Sequence, residues 1–211
     1  MQKITNAFHS PCGAIPWETS FVIDPVVENK IPPVLTGRLK LRAFSVTDAS
    51  EVQRMAGSFK VAQMTATIPH PYPDGAAESW IANHAIQFAN GNGVVWAAED
   101  QVSGKLVGCT GFEVNKAHKK SEVGYWVGEE FWGNGYCTEA VIAGIDFCFN
   151  HFGLNKITSR HLSYNPASGK VLIKAGMSQE GYLKKDMFRN GQYADMVVFG
   201  LLRSEWKAQS K

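Results

Sequence analysis

Residues 131–140, FWGNGYCTEA, combine residue types and spacing that could bind an anion. Gly133 and Gly135 stand two positions apart, and apolar residues at helical spacing follow them. The start of a helix presents backbone N–H groups without partners and the positive end of the helix dipole. Glycine carries no side chain, so a ligand can come close to the backbone at both positions. The stretch therefore predicts a cradle for a phosphate group.

Two common phosphate-binding patterns do not fit this stretch, and one structural alternative stays open. A dinucleotide-binding turn would carry a third glycine where this chain has Thr138, and an acidic residue about 20 positions on, where it has Asn155. A nucleoside-triphosphate loop would end in Gly-Lys-Ser or Gly-Lys-Thr, whereas this sequence reads Gly-Tyr-Cys-Thr. The glycines alone are equally compatible with a tight strand-to-helix turn that binds nothing.

Hydrophobic periodicity predicts the elements that must position this turn. Short connections between the three central strands predict antiparallel pairing. The whole order of elements predicts an α+β fold with a mixed sheet, which is not doubly wound. The predicted strands are 38–44, 94–100, 105–114, 121–127, 156–162 and both arms of a hairpin about Asn190-Gly191. The predicted helices are 47–57, 76–89, 138–153 and 165–176.

Composition and charge exclude several classes of protein. The 211 residues are 45% apolar and 19% charged, which is typical of one globular domain. A net charge of +2 predicts no direct nucleic-acid partner. We see no signal peptide and no apolar stretch of about 20 residues, so we expect no membrane partner. The four cysteines are Cys12, Cys109, Cys137 and Cys148. Their spacing fits neither a metal site nor a disulfide framework, so we expect no bound metal and a reducing, cytoplasmic setting.

Three segments in one order resemble a known family. GYWVGEEFWGNGYCTEA is followed by NPASGKVLIKAG and then by QYADMVVFGLLRSEW. This combination resembles the GNAT acetyltransferase superfamily, in its ribosomal-protein alanine N-acetyltransferase branch. The resemblance implies a single GNAT domain over 35–208 after an N-terminal arm or extension, 1–34. It also implies a mostly antiparallel central sheet flanked by helices, with a splayed strand pair.

The resemblance implies acetyl-CoA as the co-substrate and a set of residues that bind it. The strand EVGYWV would splay from KITSRHL, and the pantetheine arm would pair with backbone near Trp126 and Val127. Asn165 would contact the pantetheine arm, although helix capping explains it as well, and Lys170 could reach a phosphate or be simply solvated. The pyrophosphate would be held by the backbone of Gly133, Asn134, Gly135, Tyr136, Cys137 and Thr138.

Acetyl transfer to nitrogen needs a group that accepts the ammonium proton and a donor near the leaving sulfur. Glu122, which opens the splayed strand, is the first candidate base, and an exposed strand-end carboxylate is the alternative. Glu113 on the neighbouring strand is the second candidate. Ser168 is the candidate donor by resemblance, with helix capping as the alternative. Glu139 fits better as a first-turn residue that complements the helix dipole.

Cys137 stands where the resembling family usually carries alanine. One interpretation is a small residue that replaces another. The other is a thiol with a lowered pKa at a helix N-terminus, which could form a mixed disulfide with CoA.

We therefore expect an N-acetyltransferase that transfers acetyl directly to a primary amine, acting as a monomer or homodimer. The amine would be a protein N-terminal α-amino group or belong to a small molecule. The alternative is a non-catalytic acyl-CoA-binding regulatory module on the same fold.

Overall fold

The computed structural model describes residues 30–206 of the chain. Most of the predicted arm, 1–34, lies outside these residues, as does Cys12. The strands are β1 Val34–Leu35, β2 Leu39–Arg42, β3 Gly93–Asp100, β4 Leu106–Asn115, β5 Lys120–Val127, β6 Lys156–Leu162, β7 Ser178–Arg189 and β8 Gln192–Leu202. The α-helices are α1 Ala49–Ala56, α2 Phe59–Gln63, α3 Ala76–Ala82, α4 His84–Ala89, α5 Tyr136–His151 and α6 Pro166–Lys174.

All eight strands form one sheet in the order β1-β2-β3-β4-β5-β6-β8-β7. Neighbouring strands are antiparallel except β5 and β6, which run parallel. The predicted α+β fold with a mixed, mostly antiparallel sheet is therefore confirmed.

Two helical details differ from the prediction. The helix predicted over 76–89 is interrupted at Asn83, whose side-chain amide donates to the Ser79 carbonyl (2.8 Å). An amide that bonds the preceding turn competes with the helical backbone pattern. Helix α2 was not predicted, because five residues are too few to show a helical period. It begins where the Ser58 hydroxyl accepts a hydrogen bond from the Val61 N–H (3.2 Å).

Helix α5 covers one face of the sheet. Val141, Ile145 and Cys148 recur at spacings of three and four residues and are fully buried. Burial of such an aliphatic side chain contributes roughly 1.5–3 kcal/mol. Gly144 lets the helix approach the sheet closely, because a Cβ at that position would lie 2.3 Å from the Phe112 ring. This contact fixes the middle of α5 against β4.

Helices α1 and α3 cover the other face. Their buried side chains include Val52, Met55 and Ile81, which form a second core cluster. Cys109 of β4 and Trp126 of β5 belong to the same cluster. Because β4 and β5 are packed on both faces, the edge of β5 that faces β6 is held in a defined position.

Two local predictions in the C-terminal half are confirmed. The Asn165 side chain caps α6 by accepting from the Ser168 N–H (3.3 Å), and Pro166 occupies the first turn. The β7–β8 hairpin turns at Asn190 and Gly191, with φ values of 50° and 76°. Two consecutive positive φ values are those of a type I′ turn, which Asn-Gly favours.

Candidate functional site

Strands β5 and β6 separate after a short paired stretch. Their backbone pairing ends at Glu122 and Thr158, although both strands continue for several residues. Near the end of this pairing, two side-chain hydroxyls of β6 also bridge the strands. Thr158 donates to the Ser121 carbonyl (3.1 Å), and Ser159 donates to the Val123 carbonyl (2.8 Å). Past Val123 the strands diverge. The predicted splayed pair is therefore present, and we call the space between the two strands the β5–β6 gap.

The antiparallel ladder between β4 and β5 decides which backbone groups face this gap. The Gly128 N–H donates to the Val107 carbonyl (3.0 Å), so even-numbered residues of β5 bond to β4. The backbone groups of the alternate residues, Tyr125 and Val127, consequently point toward the β5–β6 gap. An extended chain placed there would find backbone donors and acceptors on one side, as an added strand does.

This alternation corrects one prediction about the pantetheine arm. Trp126 was predicted to offer backbone groups, but its N–H and carbonyl are directed to β4, and its side chain is buried against α1. Tyr125 takes its place on the gap side. Val127 does face the gap, and its carbonyl accepts a hydrogen bond from the Trp132 indole N–H (2.8 Å). Its N–H is the group left for a ligand.

The two glycines form the turn that joins β5 to α5. Gly133 and Gly135 have φ values of +78° and +80°, which side-chain-bearing residues rarely adopt. A Cβ on Gly133 would meet nothing within 4 Å, so its space is open to a ligand. Gly135 is the N-cap of α5, and no side chain caps the helix. The N–H groups of the first turn, through Thr138, therefore remain available to an anion.

Arg38 of the segment before β2 holds this turn in place. Its guanidinium donates to the Asn134 carbonyl (2.9 Å) and to the Glu139 carboxylate (2.7 Å). It also lies over the Tyr136 ring, 4.8 Å from the centroid. A Cβ on Gly135 would lie 3.6 Å from the same guanidinium. Arg38 thus adds a positive charge beside the helix N-terminus, which favours an anionic ligand.

Glu139 is the anchor on the helix side of this arrangement. Its carboxylate accepts from the Thr36 hydroxyl (2.6 Å) and from the Arg38 N–H (2.7 Å). Burial alone would raise the pKa of Glu139, but the hydrogen bonds from Thr36 and Arg38 outweigh it and lower that pKa. The carboxylate therefore stays ionised in the first turn of α5, where the helix dipole also favours it.

The Cys137 thiol does not have the character that one hypothesis assigned to it. Burial raises the pKa of Cys137 to about 12, so the thiol is protonated at neutral pH. The structure therefore favours the interpretation of Cys137 as a small residue that replaces another over that of a thiol with a lowered pKa.

Ser168 lies in the first turn of α6 and contacts β5. Its hydroxyl is 2.8 Å from the Tyr125 hydroxyl, which also donates to the Ser168 carbonyl (3.0 Å). The cap residue Asn165 links the same turn to the end of α2, because its amide donates to the Met64 carbonyl (2.9 Å). The structure therefore joins Ser168 to a strand that lines the gap.

The two candidate bases are direct neighbours on adjacent strands. Glu113 of β4 pairs in register with Glu122 of β5, and both side chains are exposed. Glu122 forms an ion pair with Arg160 of β6 (3.0 Å), and Arg160 also approaches Asp186 of β7 (3.9 Å). Glu122 stands at the last paired position before the gap opens. It is therefore the better placed of the two to meet a substrate in the gap.

Lys170 and the loop after α2 complete the surroundings. Lys170 is exposed on α6. Arg189 of β7 donates to the carbonyls of Ala62 (2.8 Å) and Ile68 (2.6 Å), and it also bonds the Thr65 carbonyl. This contact ties the β7–β8 hairpin to the end of α2 and the segment that follows it.

Sequence reasoning missed several residues of this site, which are Arg38, Tyr125, Arg160 and Arg189. Each acts through a partner that is distant along the chain: Arg38 and Asn134 are 96 positions apart, and Tyr125 and Ser168 are 43 apart. Strand register decides these contacts, and no local pattern encodes it. The one available signal was the position of Tyr125 within the family-like segment GYWVGEEFWGNGYCTEA.

Neither a metal-binding group of side chains nor a membrane-spanning helix is found within residues 30–206. In that range no three His, Cys, Asp or Glu side chains are grouped so that they could hold a metal ion. None of its helices combines the length and apolar character needed to cross a membrane.

Comparison with known proteins identifies relatives of the chain. The acetyltransferase (GNAT) domain family matches residues 38–178. YoaA, an uncharacterized N-acetyltransferase of Bacillus subtilis, is 30% identical over 128 residues, which are 60% of this chain and 72% of that protein. The ribosomal protein uS5-alanine N-acetyltransferase of Escherichia coli is 26% identical over 142 residues, which are 65% of this chain and 71% of that protein.

A solved structure shares the fold. Spermidine N-acetyltransferase from Vibrio cholerae, in complex with CoA and spermine, superposes with a TM-score of 0.70. The match covers 81% of this chain and 98% of that chain at 22% identity. Structural neighbours of this fold therefore bind CoA.

Proposed function

This chain belongs to the acetyltransferase (GNAT) domain family, and from that premise we propose that it transfers acetyl from acetyl-CoA directly to a protein N-terminal α-amino group. The observation that carries the proposal is the β5–β6 gap beside the glycine turn. Backbone groups of Tyr125 and Val127 face the gap. At the end of β5, the turn of Gly133 and Gly135 offers an open anion cradle. A long ligand with a pyrophosphate at one end and amides along its arm fits both features.

The residues that would bind acetyl-CoA follow from these features. The backbone from Gly133 to Thr138 would hold the pyrophosphate, with Asn134, Tyr136 and Cys137 contributing N–H groups rather than side chains. Arg38 would keep this turn in shape and add positive charge. Lys170 is exposed on α6, where it would reach a phosphate of the co-substrate. The co-substrate supplies an activated acetyl thioester.

The groups around the gap would divide the transfer between them. Glu122, at the mouth of the gap, would take the proton from the incoming ammonium group, directly or through one water molecule. The amine nitrogen then bonds to the acetyl carbon, the carbon–sulfur bond breaks, and the second proton that the nitrogen loses passes to the leaving sulfur. The Tyr125 N–H also faces the gap and would stabilise the developing oxyanion. The Ser168 hydroxyl would donate a hydrogen bond to the leaving sulfur.

Arg160 controls whether the Glu122 carboxylate is free to meet the substrate. Its guanidinium pairs with Glu122 (3.0 Å), and about half of each side chain is exposed. An exposed ion pair is weak, so an arriving ammonium group can compete for the carboxylate. Glu113 lies beside Glu122 on the same sheet face and would raise the local negative charge that attracts a cationic amine. Glu113 also remains the second candidate for the base.

The choice of a protein N-terminus as the acceptor rests on the relatives. The Escherichia coli relative is named for the alanine of a ribosomal protein, and it is 26% identical to this chain. The Vibrio cholerae neighbour is named for spermidine, but at 22% identity its likeness concerns the fold.

A second candidate function is a non-catalytic acyl-CoA-binding module. The observation that favours it is the ion pair between Glu122 and Arg160, which occupies the first candidate base. Under this alternative, acetyl-CoA binds but no amine is acetylated.

An acceptor panel tests the proposal. Purified protein would be incubated with acetyl-CoA and, separately, with peptides bearing free N-terminal alanine or serine, the same peptides with blocked N-termini, and spermidine. We expect mass spectrometry to detect one added acetyl group on the free-N-terminus peptides alone. Acetylation of spermidine with no peptide product would refute a protein acceptor, although the protein would still be an acetyltransferase. Binding of acetyl-CoA with no product in any arm would support the module.

A further inference from the structure

We infer that Tyr125 is a positioning residue for acetyl transfer, because its hydroxyl holds the Ser168 hydroxyl ready to donate to the leaving sulfur. This inference rests on the proposed function, which gives Ser168 its place beside the thioester. Tyr125 combines two positions. Its backbone faces the β5–β6 gap, while its side chain reaches the first turn of α6.

The proton inventory of the pair explains why two contacts matter. The Tyr125 hydroxyl has one proton, and the Ser168 carbonyl can only accept. While the phenol donates to that carbonyl (3.0 Å), the Ser168 hydroxyl must donate to the phenol oxygen (2.8 Å). If the phenol proton turns to the Ser168 oxygen instead, the Ser168 proton becomes free to donate elsewhere. Both arrangements use the same heavy-atom positions.

The second arrangement is the one that a leaving thiolate would stabilise. As the carbon–sulfur bond breaks, the electron pair stays on sulfur, and Ser168 donates its hydrogen bond to that atom. Tyr125 donates in turn to the Ser168 oxygen, which strengthens the serine as a donor. No proton leaves Tyr125: the base holds the first proton of the ammonium group, and the second proton that the nitrogen loses on becoming an amide neutralises the leaving thiolate.

Other contacts restrict the pair to this exchange. The Ser168 N–H is held by the Asn165 side chain (3.3 Å), and the Asn165 amide is held by the Met64 carbonyl (2.9 Å). Hydroxyl rotation is therefore the motion left to Ser168. Burial raises the pKa of Tyr125 strongly, although the Ser168 hydrogen bond opposes the rise. The phenol accordingly stays protonated across the neutral range and acts as a donor.

A double-mutant cycle tests this positioning role. The variants are Tyr125→Phe, Ser168→Ala and the double variant, with Tyr182→Phe as the matched control. Tyr182 also donates a phenol hydrogen bond, to Asp195 (2.6 Å), on the β7–β8 hairpin. We expect Tyr125→Phe to lower kcat about tenfold with little change in KM for acetyl-CoA. In the Ser168→Ala background the same change should have almost no further effect, because the partner is gone. The control should keep full kcat.

The outcomes separate the inference from the proposed function. Full kcat in Tyr125→Phe, or independent losses in the double variant, would overturn the positioning role while the parent protein remains an acetyltransferase. A parent that acetylates no amine would overturn the proposed function itself. If Tyr125→Phe melts at a much lower temperature than the parent, 3-fluorotyrosine inserted at position 125 keeps the hydroxyl and the ring. A changed kcat then supports the role, and an unchanged kcat contradicts it.

Discussion

Replacing Gly135 by alanine tests whether the glycine turn binds the co-substrate. Gly135 has φ = +80° and caps the start of α5, so alanine there adds left-handed strain of roughly 1–2 kcal/mol. Gly153, just past the other end of α5, has φ = +60°, and a Cβ there would meet nothing within 4 Å. Gly153→Ala is therefore a matched control with similar strain at the opposite end of the same helix.

The two variants should lose similar stability but differ in binding. The methyl group at position 135 would stand in the anion cradle and 3.6 Å from the Arg38 guanidinium. If it displaces one charge-assisted hydrogen bond from backbone N–H to phosphate, the loss is about 1.5–3 kcal/mol, which corresponds to roughly a 10- to 150-fold weaker Kd. Gly153→Ala should bind acetyl-CoA as the parent does.

Urea unfolding of each variant gives its free energy of unfolding. Calorimetric titration of the folded variant with acetyl-CoA gives its Kd. Unchanged Kd in a folded Gly135→Ala variant would refute the cradle. Equal weakening in both variants would mean that general destabilisation, not the cradle, explains the loss.

Two further predictions concern the base and the buried histidine. Glu122→Gln should lower kcat by about 10²–10⁴-fold, whereas Glu113→Gln should change it little; steady-state rates check this, and the reverse order would move the base to Glu113. His84 is buried, and within residues 30–206 neither of its ring nitrogens has a hydrogen-bond partner; burial lowers its pKa from 6.5 to about 4. Between these values the unfolded chain binds the extra proton, so the free energy of unfolding should fall by about 2 kcal/mol from pH 7 to pH 5. Urea unfolding at both pH values should show this loss in the parent and not in His84→Leu; the same loss in the variant would exclude His84 as its source.

Local signals in the sequence predict much of this fold. Helix α6 is marked by Asn165 as its cap, Pro166 in its first turn and Gly176 beyond its end, and the structure confirms it. The hairpin at Asn190-Gly191 is equally clear, because few residue pairs adopt two positive φ values. Such features depend on neighbours within about four positions, and one sequence is enough to read them.

The remaining features depend on contacts between distant segments. The alternation that directs the backbone of Tyr125, rather than that of Trp126, toward the gap depends on the β4–β5 register, which no local sequence pattern encodes. Burial of the Cys137 thiol, which raises its pKa, depends on packing between elements. Both features follow from neighbouring elements that no local sequence pattern contains.

The most direct test of the central claim is thiol release from acetyl-CoA by the purified protein, measured with and without a free-N-terminus peptide. The account predicts CoA release that requires the peptide, equals the acetylated product mole for mole, and is reduced in Gly135→Ala at acetyl-CoA concentrations that just saturate Gly153→Ala. Tight binding of acetyl-CoA with no peptide-dependent release would contradict direct transfer and leave a binding module in its place.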